Sequence, residues 1–285
     1  MEKIISLVAL LVLLLSNVVA LKSVALEGNR AAANKAAVDR AAVDRAAENG
    51  DDTRNFIYSK AMGEERELYV HLPSDYAETT KAYPLVILLD ANLSYMPNIF
   101  DNSLTLIDGL IQAKDIPASI VVGIPSQNMD TWFDDAIDNK ENFIRFITKE
   151  LLPKLHRDYR VLNKRILVGQ SYSGALVSNL LAQAPQVFDT VVAIDPIFSS
   201  KAELQSAIDA YVALSTSRTL LYSMQSGGDD SEIRHLQKFA AGKDLNIRID
   251  ALPLESHQSI YYPALKRGLR LHFSDFRLPN QKVKE

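Results

Sequence analysis

The chain has 285 residues, 47% of them hydrophobic and 23% charged, with 31 basic against 35 acidic side chains and a formal net charge of −4. That length suits one large domain or two small ones, the composition excludes a wholly disordered or collagen-like chain, and the charge balance argues against nucleic acid as a main partner. The absence of cysteine excludes disulfides, thiolate metal sites, iron–sulfur clusters and a cysteine nucleophile.

Residues 1–20 open with Lys3, continue in an apolar run from Ile4 to Leu15, and end on Val18 and Ala20, small residues at the −3 and −1 positions of a cleavage site. This is the form of a secretory signal peptide, and it predicts export to the periplasm or beyond the cell. Ser16 and Asn17 break the apolar run, which favours cleavage over a retained membrane anchor. Residues 21–53 contain a near-repeat of five positions, AAANK, AAVDR, AAVDR, AAENG. A five-residue period keeps no apolar stripe on one helix face, so the segment reads as a helical, solvated linker. The folded domain is expected over 54–285.

Short apolar runs at 67–72, 85–89, 120–124, 165–168, 190–194, 219–224 and 246–252 predict strands, most of them covered on both faces. Helix-period stretches lie between and after them at 107–113, 141–159, 175–184, 201–214, 231–241 and 263–273. The alternation predicts an α/β fold, a mostly parallel central sheet with helices on both faces. In such sheets ligands bind beyond the carboxyl ends of the strands.

One of those ends reads Gly169-Gln170-Ser171-Tyr172-Ser173-Gly174 and runs into a helical pattern. A serine on a sharp strand-to-helix turn is a nucleophile elbow, with its hydroxyl at a helix N-terminus where developing negative charge is favoured. The alternative is an ordinary helix cap. Of the five histidines, His71 lies in a strand pattern, while His156, His235 and His272 belong to helical stretches whose default is a solvated face. His257 alone follows a late strand, in the loop LESHQS, where a base for Ser171 should stand. The chain order Ser, acid, His favours Asp230 as the orienting carboxylate and Asp229 next, with Glu232 a dipole partner of the following helix; Asp195, after the preceding strand, competes.

The segments ERELYVHLPSDY, YPLVILLD, LVGQSYSGAL, AIDPIF and ESHQSIYYPALKRGLRLHF, spread over residues 55–277, resemble the esterase D and enterochelin-esterase-like members of the α/β-hydrolase fold. The family elbow is similar to G-H-S-x-G-G, so Gln170 stands for its histidine and Ser173 for its glycine. The resemblance implies Ser171 as nucleophile, His257 as base, and oxyanion donors at the backbone N–H of Tyr172 and of a residue near Asn92. Ala91 replaces a glycine of that second loop, and the Arg of an Arg-Asp pair is missing from the stretch Thr131 to Asp135. His156-Arg157-Asp158 with Asn163 matches a kinase spacing, but the Gly-rich loop and D-F-G that would accompany it are absent.

These readings converge on a serine esterase acting on a small-molecule ester, with no metal or cofactor, no nucleic-acid partner and no stable membrane insertion after leader cleavage. Trp132 and Phe133 would favour an apolar or aromatic acyl group if they overhang the site, a core role being the alternative. A non-catalytic exported binding module on the same fold, or an acyltransferase or peptidase using the same Ser and His, are the competing readings.

Overall fold

Eight strands form one sheet across the residues that the computed structural model describes, 53–93, 96–126, 137–213, 219–225 and 247–276. Residues 1–52, Trp132, Phe133, the 231–241 stretch with His235, and Asp229, Asp230 and Glu232 lie outside them.

An antiparallel pair, β1 (Thr53–Ser59) and β2 (Glu64–His71), forms one edge. The parallel strands follow in the chain: β3 (Tyr83–Leu89), β4 (Ile120–Ile124), β5 (Val161–Gln170), β6 (Thr190–Ile194), β7 (Thr219–Gln225) and β8 (Ile247–Leu252). Their order across the sheet is β1-β2-β4-β3-β5-β6-β7-β8, with β2 antiparallel to β4. All residues of β3, β4 and β6 are buried, as unbroken Val, Ile and Leu runs require when helices cover both faces. The predicted strands at 120–124 and 190–194 coincide with β4 and β6, whereas β5 extends well before the predicted 165–168. β1 went unpredicted: TRNFIYS is mixed in polarity because edge pairing, not burial, holds it.

The helices are α1 (Ile99–Gln112), α2 (Lys140–Arg145), α3 (Leu152–Asp158), α4 (Ser171–Gln183), α5 (Lys201–Ala213) and α6 (Tyr261–His272). A π-helical stretch, Phe146–Leu151, joins α2 to α3 within what the sequence reads as one helix. Pro153, which has no N–H to continue the ladder, follows at once. Ile99, Phe100, Leu104 and Ile107 of α1 and Leu265 and Leu269 of α6 share one core with Val86, Val121, Val168 and Val192 of the sheet. Helices α4 and α5 pack together, α4 lying against β5 and β6.

From β3 the chain crosses to β4 on one side, and from β5 onward it proceeds to the other. The loops leaving β3 and β5 therefore diverge, and a crevice opens between their carboxyl ends. Leu88 pairs with Val168 across that boundary, so the segment after Leu89 and the segment after Val168 flank it.

Candidate active site

Ser171 begins α4 with φ of 59°, in the left-handed region that a non-glycine residue occupies only under constraint. The sequence pattern predicts the helix from 175; it begins at the serine itself, with Gln170 as its N-cap. This turn is possible because Gly169 has no side chain: a Cβ there would stand 2.4 Å from the carbonyl oxygen of Ser173 and 3.1 Å from Val177 Cγ1. Ser173 stands where the family pattern has glycine. Its residue is buried, and it lines a cavity of about 10 Å³ together with Arg66, Asp90, Ser126 and Phe143. Tyr172 stands in the first turn of α4, where helix N–H groups have no acceptor within the helix.

The loop after β3 is the second wall of the crevice. Its left-handed residue is Asp90, with φ of 58°, so the position that Ala91 fills makes no demand for glycine. Space for the Ala91 methyl comes from Gly123, where a Cβ would lie 2.8 Å from Ala91 Cβ and 2.7 Å from the Phe100 ring. Ala91 N–H donates to the Ile124 carbonyl at 3.2 Å. The Asn92 side chain makes a two-way bridge to the loop after β4, Nδ2 donating to Ser126 O at 2.8 Å and Oδ1 accepting from Ser126 N–H at 2.7 Å. Asn92 is exposed and borders a groove of about 240 Å³ shared with Phe56, Glu65, Glu67, Pro125 and Ser126.

His257 arrives from the far side of the sheet, after β8, in a loop stapled by its own side chains. Ser256 N–H donates to Ser259 Oγ at 2.8 Å, Ser259 N–H returns a bond to Ser256 Oγ at 3.2 Å, and Ser259 Oγ–H donates to Glu255 Oε2 at 2.7 Å. The E-S-H-Q-S sequence is thus a turn whose polar residues brace one another around the histidine. His257 Nδ1 lies 2.5 Å from Oδ2 of Asp195. Register explains the meeting: Gln170 pairs with Ile194, so the residue after β6 lies beside the residue after β5. Asp195 also has a left-handed backbone, φ 41°, and Ile197 N–H donates to Ser171 O at 3.0 Å. The Asp195 side chain is 8% exposed and that of His257 24% exposed. Gln170 Nε2 donates to the carbonyl of His257, which links the elbow to the histidine loop.

Of the expected constellation, Ser171, Tyr172, Asn92 and His257 all stand at the carboxyl rim of the sheet. Asp230 and Asp229, the acids favoured by chain order, lie outside the described residues, and the carboxylate bonded to His257 is that of the competitor, Asp195. The bond of Gln170 to the histidine loop had no counterpart in the sequence reading. A polar residue at the end of an apolar strand, where burial is assured, was its only signal.

Three of the other histidines lie among the described residues, away from Ser171. His71 lies 3.7 Å from Asp108, and His156 meets Arg165 Nη2 at 2.7 Å, where burial and the guanidinium both lower its pKa. His272 overturns its expected solvated face. It is 3% exposed, bonded through Nδ1 to Thr190 Oγ1 at 2.8 Å, and burial pushes its pKa down to about 3. The position is interior because α6 turns it onto the sheet, against Thr190 of β6.

The Esterase family model matches residues 59–255, more than half of the chain. The uncharacterized protein YjcH of Bacillus subtilis is 27% identical over 157 residues, 52% of this chain and 63% of that protein. The ferri-bacillibactin esterase BesA of the same organism is 36% identical over 76 residues, 26% of each chain. Both alignments span less than two thirds of the relative's own length. Among solved structures, the IroE-like serine hydrolase of Shewanella oneidensis superposes with a TM-score of 0.70 at 25% identity, over 80% of this chain and 82% of that one.

Proposed function

The chain belongs to the Esterase family, and on that premise we propose that it hydrolyses carboxylic esters through an acyl-enzyme on Ser171. The observation that carries this reading is the pairing of His257 Nδ1 with Asp195 beside a left-handed Ser171, at the crevice of the sheet. With Nδ1–H donated to the carboxylate, Nε2 keeps the lone pair that a general base needs. His257 takes the proton of Ser171 Oγ–H as the oxygen bonds to the ester carbonyl carbon. The carbonyl oxygen becomes an oxyanion, held by the N–H groups of Tyr172 and Asn92. The imidazolium then protonates the departing alkoxide, the C–O bond breaks, and an acyl-serine and a free alcohol result. Water repeats the sequence with His257 again as base, releasing the carboxylic acid and restoring the serine.

The carboxylate of Asp195 stabilises the imidazolium at both steps, and its burial keeps that interaction from being screened. Membership of the Esterase family supports a small-molecule ester as substrate. The likeness to a ferri-bacillibactin esterase covers a quarter of each chain, so it supports the ester rather than that particular siderophore. The leader sequence supports export, with turnover in the periplasm or outside the cell.

A fluorophosphonate probe and a short-chain p-nitrophenyl ester test the proposal together. The wild type is expected to be labelled and active. Ser171→Ala is expected to lose both, and His257→Ala to lose about 10⁴-fold or more in kcat. Equal rates in wild type and His257→Ala would overturn the mechanism, and folded wild-type protein that neither labels nor turns over would support the binding-module reading.

A further inference from the structure

Gln170 is the last residue of β5, directly before the nucleophile, and 2% of it is exposed. Burying a carboxamide is costly unless its polar atoms are paired. Among the described residues only one end is: Nε2 donates to the His257 carbonyl, while Oε1 is buried without a hydrogen-bond partner there. The orientation of the amide is dictated by its neighbour. A carbonyl oxygen only accepts, so a flipped amide would set two oxygens against each other. An apolar side chain of the same length would avoid the orphaned oxygen, so packing alone gives no reason for an amide at this position.

What the amide does is specific. The Ser256, Ser259 and Glu255 bonds run within the histidine loop; they shape it without attaching it to the elbow. Asp195 holds the imidazole by one ring nitrogen, about which the ring and its main chain can still swing. Gln170 holds the main chain of the same residue from the strand end directly before the nucleophile, 87 positions away along the sequence. Two anchors, one on the ring and one on the backbone, fix where Nε2 points.

We propose that Gln170 is a positioning residue, whose buried amide ties the His257 main chain to the nucleophile elbow and so sets the imidazole in line with Ser171 Oγ. The proposal rests on the reading of Ser171 and His257 as nucleophile and base. It accounts for a half-paired amide in the core, since the unpaired oxygen accompanies a donor that the reaction uses. The effect is on geometry at the moment of proton transfer, where displacement by about 1 Å is enough to lower the rate about 10²-fold.

Steady-state kinetics and thermal melts of Gln170→Met, Gln170→Glu and His257→Ala test it. Gln170→Met matches the length and removes the donor. It is expected to lose about 10- to 100-fold in kcat with KM unchanged and with a Tm equal to or above that of the wild type. Gln170→Glu adds a pH readout. A protonated carboxyl still donates to the His257 carbonyl, whereas a carboxylate repels it, so kcat should fall with rising pH where the wild type holds its plateau. Gln170→Met at the wild-type kcat, or a kcat loss that merely tracks unfolding, overturns the proposal. If Gln170→Met does not fold, the Gln170→Glu profile decides: a falling alkaline limb supports the proposal and a wild-type profile overturns it. His257→Ala separates the two levels. An inactive His257→Ala beside a fully active Gln170→Met refutes only the positioning role, while an active His257→Ala refutes the mechanism beneath it.

Discussion

Replacing Asp195 by Asn removes the charge facing His257 while keeping the shape of the side chain, which makes it the sharpest probe of the site. The substitution is nearly isosteric, and the left-handed backbone of Asp195, φ 41°, is a conformation that Asn adopts readily. Its side chain is 8% exposed, so water cannot take over the lost interaction. The amide faces His257 Nδ1 across 2.5 Å with two choices. Presenting its oxygen keeps Nδ1–H in place but offers no charge to the imidazolium. Presenting its NH₂ moves the ring proton to Nε2, where the histidine can no longer accept from Ser171. The second arrangement typically lowers kcat about 10⁴-fold in a serine–histidine–carboxylate site, equivalent to about 5.5 kcal/mol of barrier. We expect Asp195→Asn to show a loss of that order in p-nitrophenyl acetate hydrolysis, with KM little changed and a cooperative thermal melt retained. Asp230→Asn and Asp229→Asn, tested alongside, should stay close to the wild-type rate. A wild-type rate in Asp195→Asn, or a large loss in Asp230→Asn instead, would refute the assignment and return the acid to Asp230 or Asp229.

Two further outcomes concern the scaffold. Gly169→Ala puts a methyl 2.4 Å from the Ser173 carbonyl oxygen, and that backbone belongs to the nucleophile helix. Stability should fall by about 1–3 kcal/mol and Tm by roughly 2–10 °C, with activity falling further than the folded fraction, as followed by circular dichroism and ester turnover. For His272, the unfolded chain takes up a proton near the ordinary 6.5, whereas the folded chain resists it down to about 3. Between those values the unfolded state binds the extra proton, so stability drops as the pH falls, by about 1.4 kcal/mol per unit. Unfolding free energies from urea titrations at pH 6.5 and 4.5 should differ by about 2–3 kcal/mol more in the wild type than in His272→Phe; an equal difference in both would show that this histidine does not govern the acid limb.

The alternation of buried runs with helical periods made the sheet and its flanking helices readable in advance, because a strand covered on both faces must be continuously apolar wherever it sits. Ser171 was conspicuous on the same logic, as a polar residue directly past a buried strand end, and His257 because it stands in the loop after the last strand, in a turn of mutually bonding side chains. β1 escaped because an edge strand answers to its neighbour's backbone, which leaves little trace in its own residues. The interior place of His272 escaped because the tilt of the last helix against the sheet decides it.

What the linear chain determined, then, is the set of strand ends and the chemistry waiting at each, since both follow from local burial and turn geometry. Which of those ends meet was decided by the sheet alone. Placing β5 between β3 and β6 set the Asp90-to-Asn92 loop on one side of Ser171 and Asp195 on the other, and brought the His257 carbonyl onto Gln170. Strand order and register are properties of hydrogen bonds between distant segments, and no single segment encodes them.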